Sequence, residues 1–298
     1  MEIPVTIWRK VWINRLGREM KIKRMFWHAN TFLVLVVLML VGCQESLAPE
    51  IPPKLVINAE LKVGYPIDSV FVSWTGDITK FYDEKQQRVR DADVRINGVQ
   101  LAEYDVVPGV YYYPDPAFRV QSGETYRIEV TAGEEHAAST TRTPAPFHLN
   151  PIGVQDGDTV QYIPGDSWFS DAFFTLEWYD YDDARIYRII SLADSATEAN
   201  FIEDDRDVAD VFKGKKEDRT NPAIWWVGDK FARINWMFFN YTGWHSIIVS
   251  AMDDNYYQYK QGLNFNQNYG QNFPQVVENG YGLFDSSASD TLRIYLVE

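Results

Sequence analysis

Across 298 residues the chain holds four histidines and one cysteine against 42 Asp and Glu. Any chemistry it performs therefore has to come from carboxylates or from one thiol. His136, His148 and His245 stand far apart and in no metal-ligand spacing such as HExxH, so each reads as a surface or strand histidine. There is no nucleophile elbow, phosphate-cradling loop, dinucleotide fingerprint or CxxC pair. Asp180, Asp182 and Asp183, or Glu203, Asp204, Asp205 and Asp207, could supply a glycosidase-type pair or oxygen ligands for a hard cation. Neither run has the loop spacing of a calcium site, and charge runs in an acidic chain are ordinarily solvated faces. The expectation is no catalytic residue, no resident metal and no cofactor, with Asp180, Asp182 and Asp183 kept as the calcium alternative.

The thiol is more telling. Arg15, Arg18, Lys21, Lys23 and Arg24 precede an uncharged run of eleven residues, Phe32 to Gly42, well short of the roughly 20 needed to span a bilayer as a helix. This is the layout of a signal peptide. Leu40, Val41, Gly42 and Cys43 resemble the bacterial lipobox, where cleavage before the cysteine follows transfer of diacylglycerol to its sulfur. Small residues ahead of the cut let the backbone enter the protease, and the thiol is the group there able to be alkylated. The alternative is an uncleaved anchor with a stray thiol. Residues 1–42 are thus expected to be a signal peptide starting at Met1, Met20 or Met25, and Cys43 to carry diacylglycerol and an N-acyl chain. Two or more acyl chains anchor a protein stably without spanning. Residues 43–53, with Pro49, Pro52 and Pro53, read as a semi-extended lipidated tether.

Residues 1–42 hold seven basic and two acidic side chains, which leaves 21 basic and 40 acidic side chains beyond them, a net charge of −19. Such a surface repels phosphate backbones and argues against nucleic acid as a partner. With no second cysteine, packing has to hold the fold in place of disulfides. Aromatics make up 15% of the chain, which favours pleated, half-buried surfaces. Trp225, Trp226, Tyr256, Tyr257 and Tyr259 form a candidate ligand or partner surface, because ring faces offer large contact area at small entropic cost. The alternative is core packing, preferred for the tryptophans set in strands, with Tyr256 and Tyr257 the better interface candidates.

The elements that would position these residues are strands. Alternation in Leu55 to Leu61, Val70 to Trp74 and Ala92 to Ile96, and the Asn97-Gly98 pair between Val94–Ile96 and Val99–Leu101, predict a hairpin with a type I′ turn inside a β-sandwich. Further strands over Gly109 to Tyr113, Tyr126 to Val130 and Ala137 to Thr143 complete an immunoglobulin-like or transthyretin-like domain over residues 54–147. Residues 148–298 are expected to form a second β-rich domain, also a sandwich, with a short helix from Asp253 as N-cap to Gly262 as stop. Its strands are expected at Phe173 to Tyr179 paired with Ile186 to Leu192, then Ile224 to Val227, Arg233 to Phe239, Trp244 to Ala251 and Leu292 to Val297. Ala193 to Pro222 reads as a surface excursion with a helical stretch over Ala199 to Phe212.

The order of these elements resembles a family. The lipobox cysteine, Leu55-Val56-Ile57, Ala92-Asp93-Val94, Pro108-Gly109-Val110-Tyr111, Gly123-Glu124-Thr125-Tyr126, Asp254 to Tyr259 and Asn279-Gly280-Tyr281-Gly282-Leu283-Phe284 are similar to Bacteroidota outer-membrane lipoproteins of domain-of-unknown-function family 4249. The resemblance implies an accessory lipoprotein working with a TonB-dependent outer-membrane receptor, in nutrient uptake or envelope assembly. It singles out Gly280, Gly282 and Phe284 as a structural loop, and brings no catalytic residues to transfer. Two functional expectations result: an accessory or ligand-binding lipoprotein of the outer membrane, on its periplasmic or cell-surface face, or an envelope hydrolase using paired carboxylates. An exposed aromatic or acidic patch would favour the first, and two acids in one cleft with raised pKa values the second.

Overall fold

The structure, a computed structural model, describes residues 52–77, 81, 83–163, 172–179, 184–202, 223–265 and 275–298. The leader, Cys43, the calcium candidates Asp180, Asp182 and Asp183, the run beginning at Glu203 and most of the helix expected over Ala199 to Phe212 lie outside the described residues.

The chain is mainly β. In order it forms β1 (Leu55–Lys62), β2 (Val70–Trp74), a single turn α1 (Glu84–Gln87), β3 (Asp93–Ile96), β4 (Val99–Gln100), β5 (Ala102–Glu103) and β6 (Val110–Tyr112). Then come β7 (Thr125–Ala132), β8 (Glu135–Arg142), β9 (His148–Ile152), β10 (Thr159–Gln161), β11 (Phe174–Tyr179) and β12 (Tyr187–Ala193). The last elements are β13 (Ala223–Val227), β14 (Phe231–Ile234), β15 (Gly243–Met252), α2 (Asp254–Phe265) and β16 (Tyr281–Val297). Local sequence accounts for many of them. Leu55, Ile57, Ala59 and Leu61 alternate into the core along β1. Asn97 and Gly98 both take positive φ at the β3–β4 turn, as a type I′ hairpin requires.

One nine-stranded sheet organises the molecule, in the order β13-β12-β15-β16-β1-β2-β6-β5 with β10 added alongside β16. A second sheet, β4-β3-β7-β8, covers one half of it, and a third, β14-β11-β9, covers the other. The long strand β16 joins the halves: Tyr281–Ser287 runs parallel to β1, and Ser287–Leu296 runs antiparallel to β15. Even-numbered residues of β16 face both cores, with Phe284 in the first and Leu292, Ile294 and Leu296 in the second. The boundary near residue 147 therefore separates two apolar cores, while the hydrogen-bonded ladder passes straight through it, and Pro53–Glu298 forms one compact unit.

The expected pair of Phe173 to Tyr179 with Ile186 to Leu192 does not form. β11 pairs with β9 and β14, whereas β12 pairs with β13 and β15 in the long sheet. The two strands face each other across the second core, where the Trp178 and Tyr187 rings meet edge to face at 5.0 Å. Alternating apolar patterns state that both strands have a buried face, and not which neighbour they bond. Helix α2 also outruns its expected stop, since Gly262 lies inside it. One interior glycine costs a helix only about 1 kcal/mol.

Candidate functional site

Helix α2 sits on the face of the long sheet opposite the two cores. Its N-terminus is fixed by Asp253, whose Oδ1 accepts from the Tyr256 N–H at 2.9 Å while its own N–H donates to the Ser286 carbonyl at 3.0 Å. The Thr141 hydroxyl of β8 donates to Asp253 Oδ2 and lies 2.6 Å from the Ser286 hydroxyl. One residue on, the Asn255 amide donates to the carbonyls of Thr140 and Phe284 at 2.7 and 2.8 Å. The helix is thus tied to the long sheet and to the edge of the second sheet at once. Burial pushes the Asp253 carboxyl up to about 6, against the opposing pull of these hydrogen bonds.

Beneath α2 lies a charged cluster. Glu60 on β1 and Asp285 on β16 are register partners on adjacent parallel strands, so their side chains leave the same face about 4.8 Å apart at the backbone. Arg188 on β12 grips Glu60 with two hydrogen bonds of 2.6 and 3.1 Å, and the Ser287 hydroxyl adds a third at 2.7 Å. Burial acts to raise the Glu60 pKa, but these bonds and the Arg188 charge outweigh it and hold the carboxyl below its usual range. Asp285 is 3% exposed. Burial first, then the Glu60 and Asp253 charges, push it well above the ordinary carboxylate range. The pair accordingly divides into one anion and one group favouring its neutral form.

The aromatics continue this stack. The Arg188 guanidinium lies 5.9 Å from the Tyr256 ring centroid, the Tyr256 hydroxyl accepts from the Trp226 indole N–H at 2.8 Å, and Lys260 Nζ sits 3.3 Å from the centre of the Trp226 ring. Partial burial lowers the Lys260 pKa. Past this stack the sheet face has side chains open to solvent. Ile224, Ile190 and Ile248 stand side by side across three strands. Leu192 follows on β12, and Trp244 and Tyr295 meet edge to face at 5.3 Å with Arg293 over the Trp244 ring. Arg293 is itself held by Asp194 at 2.7 Å. Ile224, Trp226, Trp244, Leu192 and Tyr295 are each between 38% and 44% exposed, which makes this a contiguous apolar face and not isolated surface residues.

The predicted site residues divide accordingly. Trp226 lies on the open face, whereas its neighbour Trp225 points the other way, stacks on Phe238 at 3.6 Å and packs against the second core. Tyr256 is buried under the helix, Tyr257 packs beside it beneath Arg185, and Tyr259 is half-buried. Trp244 belongs with Trp226 on the exposed face. Gly280 comes just before β16, and Gly282 and Phe284, expected in a loop, lie within that strand: a Cβ on Gly282 would sit 2.1 Å from the Ile57 carbonyl oxygen, and Phe284 is fully buried in the first core. His245 is buried against the Gly243 carbonyl, and burial lowers its pKa. Among the described residues no group of three His, Cys, Asp or Glu is placed to hold a metal.

Sequence reading missed Glu60, Arg188, Asp253 as a buried acid, and Asp285. Glu60 and Arg188 carry one signal, a charged side chain within a strand-forming run, Leu55 to Leu61 or Ile186 to Leu192, whereas Asp253 and Asp285 lie outside such runs. No spaced motif marks them, because their proximity comes from strand register.

A family model described as a domain of unknown function (DUF4249) matches residues 45–293. No curated protein matches the chain.

Proposed function

The chain belongs to this family, and from that premise we propose that it is a lipid-anchored accessory or ligand-binding protein of the cell envelope. It docks through the open face of its long sheet onto a TonB-dependent outer-membrane receptor and takes part in nutrient uptake or envelope assembly. The observation that carries this reading is the apolar face formed by Ile224, Trp226, Leu192, Trp244 and Tyr295. Aromatic and aliphatic anchors of this kind, interspersed with ion pairs already satisfied within the protein, are the composition of a protein interface. The lipobox-like Leu40-Val41-Gly42-Cys43 supports the envelope location, with diacylglycerol and an N-acyl chain on Cys43.

The hydrolase reading has one observation in its favour, the neighbouring carboxyls of Glu60 and Asp285 with divergent pKa values. Access speaks against it. Both Glu60 oxygens are engaged by Arg188 and Ser287, and Asp285 is sealed below α2, whereas a glycosidase needs both acids to reach a sugar ring. The pair reads more simply as a buried ionic support for the helix.

Purification of the native lipoprotein in mild detergent, with identification of stoichiometric partners, tests the proposal. A large outer-membrane β-barrel is expected with the wild type and is expected to be lost when Ile224→Asp and Trp226→Asp are combined. Elution of the wild type alone, or retention of the barrel by the double variant, would contradict it.

A further inference from the structure

A second site lies on the N-terminal half, away from the sheet face just described. A cleft of about 680 Å³ opens between α1, the extended segment after it and the β7–β8 turn, a volume in the range of small-molecule sites. Trp74 forms its apolar wall, and Lys85, Arg88 and Arg90 line it together with Glu134 and Glu135. Val89 is buried in the first core. In an extended chain its neighbours Arg88 and Arg90 must then turn to the opposite side, towards the cleft. This gathering of cations stands out in a chain of net charge −14.

Most of the acids nearby are already committed. Glu84 holds Arg88 through one terminal nitrogen at 2.8 Å, and Glu135 holds Lys54 at 2.8 Å. The Arg88 Nε is buried, meets no acceptor among the described residues and is closed to a solute in the cleft. Lys85 and Arg90 make no ion pair among the described residues, and Glu134 is the one acid lining the cleft in the same condition. Arg88 is therefore held by Glu84 through one terminal nitrogen while its other terminal nitrogen makes no hydrogen bond among the described residues, with two further cations alongside and an indole to cover an apolar group.

We propose that this cleft binds a phosphate-type oxyanion attached to an apolar group, with Arg88 as the fixed donor, Arg90 and Lys85 as the closing cations and Trp74 as the apolar wall. Guanidinium recognition of oxyanions by charge-assisted hydrogen bonds is the chemistry involved. The same headgroup chemistry is offered by a free organic phosphate and by an anionic phospholipid.

Calorimetric titration of the full chain in detergent tests this with three probes: phenyl phosphate, inorganic phosphate and the short-chain lipid dihexanoyl phosphatidylglycerol. Saturable binding of phenyl phosphate is expected, tighter than that of inorganic phosphate, and weakened about tenfold or more in the Lys85→Gln/Arg90→Gln variant, with the thermal midpoint unchanged because both side chains are exposed. Binding of the short-chain lipid in addition would assign the site to a membrane headgroup, and its failure beside a positive phenyl phosphate titration would assign it to a solute. Absence of saturable binding for all three probes at up to ~10 mM, or affinities equal in wild type and variant, would overturn the proposal.

Discussion

Asp253 shows how one side chain couples the helix to both sheets. Its carboxyl caps α2, takes the Thr141 hydroxyl and lies beside Ser286. Because burial raises its pKa from 3.8 to about 6 in the folded protein, its contribution to stability is complete below about pH 4 and is lost as pH rises through 6. Replacement Asp253→Asn keeps the capping acceptor and removes the ionisation. Denaturant unfolding measured from pH 4 to 7 should show wild-type stability falling relative to the variant by roughly 2–3 kcal/mol across that window. Parallel profiles would mean that Asp253 does not titrate there. The nearby Glu60 works in the opposite sense: its lowered pKa stabilises the fold at neutral pH, and that contribution fades as the medium becomes acid. Comparing wild type with the Asn variant separates the two.

At the scale of elements, β16 was the least legible part of the chain. Sequence patterning predicts a strand only over Leu292 to Val297, since Asp285-Ser286-Ser287-Ala288-Ser289-Asp290 carries no alternating apolar face. In the structure that stretch is the middle of the sheet, with Ser286 and Ser287 almost fully buried. It is tolerated there because its hydroxyls find partners: Ser286 beside Thr141, Ser287 on Glu60, and Ser289 beside Ser250. Such partners come from distant strands, so no local window reveals them. The Asn97-Gly98 hairpin is the contrasting case, legible because the turn chemistry and both strands lie within a few residues. Trp225 and Trp226 show the same limit, since period-2 alternation requires them to face oppositely and only the sheet topology says which one is covered. Where β1 and β16 meet, Gly282→Ala would force a Cβ into the Ile57 carbonyl at φ +106°. A loss of about 2 kcal/mol or more is expected in chemical denaturation, and a loss below ~0.5 kcal/mol would show that the strands can separate there without consequence.

Across the whole molecule, a boundary read from sequence near residue 147 falls between two cores, but the long sheet makes each half depend on the other. The N-terminal half contributes β1, whose ladder partner β16 is supplied by the last residues of the chain. The first core also takes in Val277 and Phe284 from that end. Residues 54–147 made alone should therefore fail to give a cooperative unfolding transition, whereas residues 53–298 should show a single one by scanning calorimetry. A sharp transition in the isolated N-terminal piece would show that the shared sheet is dispensable.

The proposal that the open sheet face docks onto a membrane receptor is tested most directly by site-specific photocrosslinking in the native envelope. A photoreactive residue placed at Ile224 is expected to crosslink to an integral outer-membrane β-barrel, while the same residue at Val106, which is 86% exposed in the N-terminal half, is expected to give none. Absence of a barrel crosslink from position 224, or an equal one from position 106, would contradict the account.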